Sequence, residues 1–288
     1  MIRLTLEEAY RQAVKAFSDA GLPDPLEDAR HLVTGLCGLS LTALIAEPER
    51  VLSSREAAAL ETAVMRRKRR EPVYRILGAR EFYGLDFRLS AETLEPRADT
   101  EILVERCLFY LKKTVARKGR ARLIDLGTGT GAIAITLVKN CPDVEAVMTD
   151  ISAGALETAC ENALINGVKN RISAIEGSWF EAVEGRFDMI VSNPPYIDSN
   201  QVDQLDPDVR DFDPRAALDG GPDGLDAYRS IARDCETFLA EDGVIALEIG
   251  FDQKQTVTAI FRDAGYARLE AVSDLGGNDR VLVFARGR

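Results

Sequence analysis

The chain has 288 residues, of which 46% are hydrophobic and 29% are charged, and its formal net charge at neutral pH is −11. This length allows one or two domains with a sizeable core. The acidic balance argues against a protein that holds nucleic acid by bulk electrostatic attraction, and no apolar run is long enough to span a bilayer.

The amino terminus and the cysteines bear on the compartment in which the chain works. Residues 1–8 turn acidic early and contain no signal-peptide core, so we expect a cytoplasmic protein. The five cysteines are scattered, odd in number and never form Cys-x-x-Cys, which indicates reduced thiols. Because His31 is the only histidine, we expect no metal site.

Residues 1–75 are predicted to form a small helical domain. Capping-box sequences begin at Thr5 and Ser53, and each precedes apolar residues at helical spacing. Asp24 and Pro25 have the preferences of the N-cap and the first position of another helix.

A basic run at 66–70 ends the helix that begins after Ser53. Cations at a helix C-terminus interact favourably with the helix dipole, so the run could lie on a solvated face. It could also form a docking patch for an acidic or RNA-bound partner. The sequence leaves both interpretations open.

Residues 76–97 are predicted to connect the helical domain to the rest of the chain. The segment 81–89 alternates around a glycine, as a short β-hairpin does. A helix capped by Asp99 or Thr100 is expected to follow and to run to about Lys113.

Strand and helix patterns alternate through the region 98–288, which predicts a doubly wound, mostly parallel α/β sheet of seven strands with right-handed crossovers. The segment 276–279 is short enough for a hairpin, so the last strand should run antiparallel to its neighbour. The predicted strands are 122–126, 144–148, 171–176, 187–192, 243–249, 268–273 and 280–285, and the predicted helices are 133–138, 153–166, 224–240 and 253–264.

The segment 125–131 reads Asp-Leu-Gly-Thr-Gly-Thr-Gly and leads from the first of these strands into a helix. Glycines here let the backbone turn tightly and approach a ligand. Asp150 lies at the end of the next strand, where a carboxylate can accept hydrogen bonds from both hydroxyls of a ribose. The glycine loop and the acid together indicate a cofactor that contains adenosine.

The glycine spacing discriminates between cofactors. A dinucleotide-binding turn has its last glycine where this chain has Ala132, and no phosphate-binding lysine of a P-loop is present. The pattern therefore favours S-adenosylmethionine over NAD. Trp179, the only tryptophan, follows the third strand, and we expect its loop to border the adenine; packing of the ring in the core is the alternative.

A strand-like run ends at Asn193-Pro194-Pro195-Tyr196, because neither proline can donate a hydrogen bond to a sheet ladder. The loop should lie at the carboxyl edge of the sheet, where open α/β sheets bind ligands. It offers a neutral amide, carbonyl oxygens and an aromatic face, a set suited to holding a planar amide-like or amino-like nitrogen. The alternative for Asn193 is a turn-capping asparagine before a rigid bend.

With these motifs in one frame, the chain resembles class I methyltransferases, and among them the protein-(glutamine-N5) methyltransferases that modify peptide chain release factors. Asn-Pro-Pro-Tyr alone is shared with adenine and cytosine amino-methyltransferases, so other segments make the resemblance specific. These segments are 71–78, 80–84, 94–101, 219–225 and 274–280. The chain departs from the family at Glu95, where an apolar residue is usual, and at Ala98, where a second proline is usual.

The resemblance implies a helical substrate-recognition domain at 1–75, a β-hairpin connector at 76–97 and a class I methyltransferase domain at 98–288. It implies methyl transfer from S-adenosylmethionine to the side-chain amide nitrogen of the glutamine in the Gly-Gly-Gln motif of class I release factors. Direct, specific binding to nucleic acid or a membrane is not expected.

Family roles carried onto matching positions fall into three overlapping groups. Cofactor contacts are implied at Gly127, Thr128, Gly129, Thr130, Gly131, Asp150, Trp179 and Asn193. Substrate contacts are implied at Asn193, Pro194, Pro195 and Tyr196, of which Asn193, Pro194 and Tyr196 are the catalytic residues.

A carboxamide nitrogen is a poor nucleophile because its lone pair is delocalised into the carbonyl group. We expect the Asn193 side-chain oxygen and the Pro194 carbonyl oxygen each to accept one N–H of the target amide, which aims its nitrogen at the sulfonium methyl group. Positive charge grows on that nitrogen in the transition state, so two fixed acceptors stabilise it selectively. Tyr196 can stack on the amide. No strong general base is required.

Three other functions are compatible with parts of the pattern. An adenine-N6 methyltransferase acting on DNA or RNA is the leading alternative, although the net charge disfavours it. A nicotinamide-dependent dehydrogenase is disfavoured by Ala132 and by the scarcity of histidine. A non-catalytic cofactor-binding module would be expected to have lost Asn193 or Tyr196, and both are present.

Overall fold

The computed structural model describes residues 4–287. The ends of the predicted ranges 1–75 and 98–288, residues 1–3 and 288, lie outside this part, as do the first three residues of the segment 1–8. The chain divides into two compact units. The first consists of the residues up to 79 together with 206–212, and the second consists of 80–205 together with the residues from 213 onward.

The α-helices of the described residues, in chain order, are α1 (Leu6–Asp19), α2 (Pro25–Cys37), α3 (Ala43–Ala46), α4 (Ser54–Lys68), α5 (Val73–Leu77), α6 (Thr100–Lys118), α7 (Ala132–Asn140), α8 (Ala153–Ile165), α9 (Ser199–Val202), α10 (Pro207–Arg210), α11 (Asp226–Phe238) and α12 (Lys254–Asp263). The strands are β1 (Ala79–Phe82), β2 (Leu85–Arg88), β3 (Ala121–Leu126), β4 (Val144–Asp150), β5 (Ile172–Glu176), β6 (Phe187–Ser192), β7 (Leu239–Glu248), β8 (Tyr266–Ser273) and β9 (Asp279–Arg286). None of these helices is long and apolar enough to cross a membrane.

The helix starts of the first unit follow the capping patterns in the sequence. Thr5 Oγ1 accepts a hydrogen bond from Glu8 N (3.2 Å), and Glu8 Oε2 accepts one from Thr5 N (2.9 Å). Ser53 and Glu56 make the same reciprocal pair at the start of α4. Asp24 occupies the N-cap position of α2 but makes no side-chain cap hydrogen bond. The capping boxes are therefore confirmed.

Several elements differ from the sequence-based expectation, and three of the differences have a clear local cause. Helix α6 continues past Lys113 to Lys118, because the residue that ends it is Gly119, in the left-handed region with φ 78°. Helix α5 was not predicted as a separate helix; it begins after Pro72 and crosses the predicted boundary between the helical domain and the connector. Strand β7 begins at Leu239, directly after α11, with no glycine or proline to mark the change.

The basic run at 66–70 is only partly a solvated face. Arg67 is 3% exposed, and its guanidinium donates to Asp28 Oδ2 (2.8 Å) and lies 2.7 Å from Asp208 Oδ2, a residue of α10. Arg66 pairs with Glu71 (2.7 Å). Arg67 thus holds the segment 206–212 within the first unit, and the prediction of a solvated cation is wrong at this position.

The second unit contains a seven-stranded sheet in the order β5-β4-β3-β6-β7-β9-β8. The pairs among β5, β4, β3, β6 and β7 are parallel, whereas β9 is antiparallel to both of its neighbours, as predicted. Strands β1 and β2 form a separate two-stranded hairpin. The doubly wound, mostly parallel fold and the antiparallel last strand are therefore confirmed.

Two apolar clusters cover the two faces of the sheet. Successive residues of β3 point to opposite sides, so Leu123 joins the cluster that contains α6 and α7, while Ile124 joins the one that contains α11 and α12. Both side chains are fully buried. Because both faces are covered, the middle of β3, β4 and β6 is apolar and their polar side chains lie towards the strand ends, with Asp125, Asp150 and Ser192 towards the carboxyl edge.

We expect the Arg67→Met variant to lose about 1.5–3 kcal/mol of unfolding free energy, because the half-buried carboxylates of Asp28 and Asp208 lose their shared counter-charge, while Asp208 keeps another, Arg70 at 3.5 Å. Urea denaturation of the full chain measures this loss. The matched control is Arg69→Ala in the same basic run, where the side chain is exposed and the change should stay within about 0.5 kcal/mol. Equal stability of the two variants would contradict the structural role of Arg67.

Candidate functional site

A cavity of about 470 Å³ lies in the second unit at the carboxyl ends of β3, β4 and β6. Its wall is drawn from the segments 92–100, 127–133, 150–152, 177–179, 193–195 and 214–217. This size is in the range of small-molecule and cofactor sites. The glycine loop, Asp150, Trp179 and Asn193, which are widely spaced in the sequence, therefore meet at one cavity.

The glycines of the loop 127–131 have different surroundings. Gly127 and Gly129 line the cavity with φ of 66° and 55°, and a Cβ at Gly129 would meet nothing within 4 Å. Gly131, with φ 80°, is the N-cap of α7 and does not line the cavity. A Cβ there would lie 2.7 Å from Ile135 Cδ1 and 3.2 Å from Met148 Sδ. The third glycine therefore serves close packing of helix on strand.

The Asp150 carboxylate is held in the cavity wall by backbone donors. Its Oδ2 accepts from Gly129 N (2.9 Å), and its Oδ1 accepts from Ser152 N (3.0 Å). A carboxylate has about four acceptor positions, so each oxygen keeps one for a ligand. Two fixed acceptors at the end of β4 suit a pair of vicinal hydroxyls.

Trp179 both lines the cavity and packs against the core. Its backbone has a φ of 51°, which is unusual for a residue other than glycine. A Cβ at Gly127 would lie 3.9 Å from Trp179 Cζ3. The ring packs against one of the apolar clusters of the sheet and also lines the cavity.

In the loop after β6, the cavity wall includes Asn193 and Pro195 but neither Pro194 nor Tyr196. Asn193 Nδ2 donates to Thr100 Oγ1, the first residue of α6, over 3.2 Å. Pro194 is buried, and the half-buried Tyr196 ring packs against a core cluster. Burial raises the pKa of Tyr196 to about 12, so its hydroxyl stays protonated at neutral pH.

The segment 218–226 packs against the backbone of this loop. Ile197 N donates to Leu218 O (3.0 Å), and Gly220 N donates back to Ile197 O (2.8 Å). A Cβ at Gly220 would lie 2.8 Å from Pro195 O, so only glycine fits. On the other side Gln253 Nε2 donates to Tyr196 O (2.9 Å). These contacts explain physically why a glycine-rich segment accompanies Asn-Pro-Pro-Tyr.

Three polar residues of the site escaped the sequence analysis. Thr100 had been considered only as a helix cap, yet it lines the cavity. Asn162, fully buried on α8, donates to Thr130 O (2.9 Å) and to Arg88 O (3.1 Å), which ties the glycine loop to the β-hairpin. Glu248, at the end of β7, is 2% exposed, and burial raises its pKa to about 7. The one sequence signal for Glu248 is its position, since it is an acidic residue at the end of an apolar strand.

The two departures from the family pattern lie in the segment 94–101. Glu95 is buried at 3% exposure, lines the cavity and pairs with Arg80. Arg97 also lines the cavity and donates to Asp213 (2.6 Å). These ion pairs connect the cavity-lining segment to β1 and to the loop that precedes residue 214, in a region where Ala98 replaces a proline.

Comparisons with known proteins identify the family to which the chain is similar. The family model described as methyltransferase small domain matches residues 104–206, and the one described as PrmC N-terminal domain matches residues 8–78. A release factor glutamine methyltransferase from Agrobacterium fabrum is 54% identical over 274 residues, which are 95% of each chain. One from Rhodospirillum rubrum is 43% identical over 93% of this chain and 81% of its own.

Solved structures resemble the fold at lower identity. The hMettl16 catalytic domain in complex with a MAT2A 3′UTR hairpin superposes with a TM-score of 0.56 at 15% identity, over 82% of this chain and 84% of that one. A methyltransferase from Pyrococcus furiosus does so with a TM-score of 0.52 at 19% identity, over 82% and 100%. The second unit therefore has the class I methyltransferase fold.

We expect Gly131→Ala to be less stable than Gly129→Ala by about 1–3 kcal/mol, because both alanines have a left-handed backbone but only the former meets packed atoms. Thermal unfolding of the two variants measures the difference. Gly129→Ala instead places a methyl group in the cavity and should mainly weaken cofactor binding. The opposite ranking of stabilities would contradict the packing role of Gly131.

Asp150→Ala should weaken S-adenosylmethionine binding by roughly 10- to 100-fold, since it removes charged acceptors worth about 1.5–3 kcal/mol. Isothermal titration calorimetry measures the dissociation constant. The control is Asp143→Ala, an exposed aspartate that precedes β4 and lies outside the cavity. Unchanged affinity in Asp150→Ala would rule out the ribose contact.

Proposed function

The chain belongs to the family of release factor glutamine methyltransferases, and from this premise we propose that it transfers a methyl group from S-adenosylmethionine to the side-chain amide nitrogen of a release factor glutamine. The observation that carries the proposal is the single cavity that has Asp150 and the glycine loop on one side and Asn193 on another. A cofactor and an amide could occupy such a cavity together.

The residues present fit this cofactor. Asp150 keeps two acceptor positions for ribose hydroxyls, Gly129 borders open space, and the Trp179 ring offers an apolar face. When bound, S-adenosylmethionine supplies a methyl group made electrophilic by its sulfonium. The chain's own contribution is to hold that group and to orient the nitrogen that receives it.

Asn193 is proposed to orient the target amide. Its Nδ2 is directed towards Thr100, so its Oδ1 is the atom left to accept an N–H. Loss of amide resonance accompanies methyl transfer, and positive charge develops on the nitrogen. An acceptor fixed before the reaction stabilises that charge without reorganisation, and good alignment can contribute roughly 7–11 kcal/mol.

Pro194 and Tyr196 are proposed to make the remaining contacts with the target amide. A proline has no N–H, and its carbonyl oxygen can accept the second N–H of the target. The Tyr196 ring can stack on the amide plane, a contact worth about 1 kcal/mol. With its pKa raised to about 12, the Tyr196 hydroxyl is a poor base at neutral pH, which agrees with a reaction that needs no strong base.

The proposed acceptor is the glutamine of the Gly-Gly-Gln motif in class I release factors, proteins that work in the cytoplasm. We assign recognition of the release factor to the helical first unit, in which Lys68 and Arg69 remain exposed cations. The net charge of −11 favours a protein substrate over nucleic acid, and we propose no direct, specific nucleic-acid binding.

Asn193→Ala should reduce methyl transfer at least 100-fold while the affinity for S-adenosylmethionine changes much less, since the lost contact is to the acceptor amide. Purified chain, cofactor and an unmethylated release factor are incubated, and mass spectrometry of the Gly-Gly-Gln peptide counts added methyl groups. Asn140→Ala, at the exposed end of α7, is the control. A parallel incubation with DNA and RNA tests the adenine-N6 alternative.

Near-normal turnover by Asn193→Ala would reject the acceptor role. Methylation of nucleic acid and not of the glutamine would reject the proposed substrate while leaving the cofactor assignment intact. A methyl group on the glutamine amide in the wild type, lost in Asn193→Ala and retained in Asn140→Ala, supports both.

A further inference from the structure

Glu248 is a buried acid near the cavity that has no role in the proposed methyl transfer. Glu248 ends β7, the strand next to β6, and is 2% exposed, but it does not line the cavity. Its Oε2 atom has no hydrogen-bond partner among the described residues. A buried carboxyl with an unpaired oxygen destabilises a fold, so a residue that only filled space would be better apolar.

The neighbours of Glu248 are the residues that hold Asn193. Glu248 lies beside Asn193, because the preceding residues Ser192 and Leu247 are paired in the register of β6 and β7. The Thr100 and Asn193 side chains are close enough to the Glu248 carboxyl to lower its pKa. Asn193 Nδ2 also donates to Thr100 Oγ1 over 3.2 Å. Glu248, Thr100 and Asn193 therefore form one polar cluster, with only Thr100 and Asn193 reaching the cavity.

We infer that Glu248 and Thr100 are positioning residues, which hold the Asn193 side chain with Nδ2 turned inward and Oδ1 turned towards the substrate amide. The inference deepens the proposed function, on which its catalytic consequence rests. It assigns to this pair the choice between the two flipped orientations of the Asn193 amide, which are nearly equal in shape and opposite in hydrogen bonding.

The direction follows from counting donors and acceptors. An ionised carboxylate only accepts, so a hydrogen bond between Thr100 and Glu248 uses the single hydroxyl proton of Thr100. The Thr100 oxygen can then only accept from Asn193, which requires an N–H. The inferred acceptor of the second N–H of Asn193 is the Glu248 carboxylate, whose Oε2 has no hydrogen-bond partner among residues 4–287. Both amide protons are thus used behind the wall, and the carbonyl oxygen remains for the ligand.

Protonation of Glu248 removes this selection. A carboxylic acid can donate to Thr100 or to Asn193 Oδ1, so the flipped amide, with its NH₂ facing the substrate NH₂, becomes allowed. The pKa of Glu248, raised to about 7 chiefly by burial, places the change near neutrality. The inferred active form is the carboxylate, so turnover should fall as the pH drops through about 7.

Other charged or titratable groups face Glu248 from each element packed around it. Asp99, the N-cap of α6, raises its pKa, and Arg280 of β9 lowers it. Tyr196 and Tyr228 also interact with the carboxylate, and Tyr228 Oη donates to Glu248 O over 3.0 Å. Burial keeps both phenols protonated at neutral pH because it raises their pKa values. Elsewhere in the unit, Asp125 also has a pKa raised by burial to about 7.

The kinetic test compares variants that change the cluster without changing its size. Thr100→Val should lower kcat for release factor methylation roughly 10- to 100-fold, with the dissociation constant for S-adenosylmethionine within about twofold of wild type. Thr100→Ser should restore kcat to within about threefold. The matched control is Thr136→Val, at a fully buried threonine on α7 whose hydroxyl has no partner among residues 4–287.

The pH profile isolates Glu248. Glu248→Gln should lose the wild-type fall of kcat between about pH 8 and pH 6, because the amide does not titrate, whereas Asp125 still titrates in both proteins. A Thr100→Val kcat within twofold of wild type would overturn the inference, as would an unchanged pH profile in Glu248→Gln.

A measurement without release factor keeps the inference separate from the proposed function. The side-chain ¹⁵N–¹H₂ signals of Asn193, identified by their absence in Asn193→Ala, should shift with an inflection near pH 7 in the wild type. Signals that stay constant from pH 6 to 8 would refute the contact with Glu248. If the wild type failed to methylate the glutamine but the Asn193 side-chain signals shifted with pH, the proposed function would be rejected and the contact between Asn193 and Glu248 would be supported.

Discussion

The structure depends above all on the parallel register of β3, β4 and β6. Asp125 pairs with Met148 on one side and with Val191 on the other, so the three strands end at the same height. Each strand is covered on both faces by apolar side chains, so its polar residues lie towards its two ends. The glycine loop, Asp150 and Asn193 share one cavity because this register aligns the carboxyl ends of the strands that they follow or end.

Polar contacts then fix the edge at the atomic scale. Asp150 is held by two backbone N–H groups, and Ser192 Oγ donates to Leu126 O over 2.7 Å, joining the ends of β6 and β3. Asn162 ties the glycine loop to the hairpin. Most of these anchors are provided by the backbone or by buried amides. The groups that face the ligand are therefore positioned in advance, which is the condition under which oriented dipoles stabilise developing charge.

Features that depend on local sequence could be predicted, whereas contacts between residues far apart in the sequence could not. Helix caps at Thr5 and Ser53, the alternation of strands and helices, and the antiparallel last strand depend on neighbours in sequence or on general topology, and the structure confirms them. Thr100 and Asn193 are 93 positions apart, and no spacing rule links them. The burial of Arg67 could not be predicted for the same reason, since its partner Asp208 lies in a distant segment of the sequence.

The Arg67–Asp208 ion pair also determines how the protein can be divided. Residues 206–212 belong to the first unit, although the sequence on both sides of them belongs to the second. A cut after residue 79 would not release an intact helical unit, because Arg67 would keep Asp28 and lose Asp208. Neither unit is one uninterrupted stretch of chain, so insertion, permutation or exchange of one unit between relatives has to carry this seven-residue segment along.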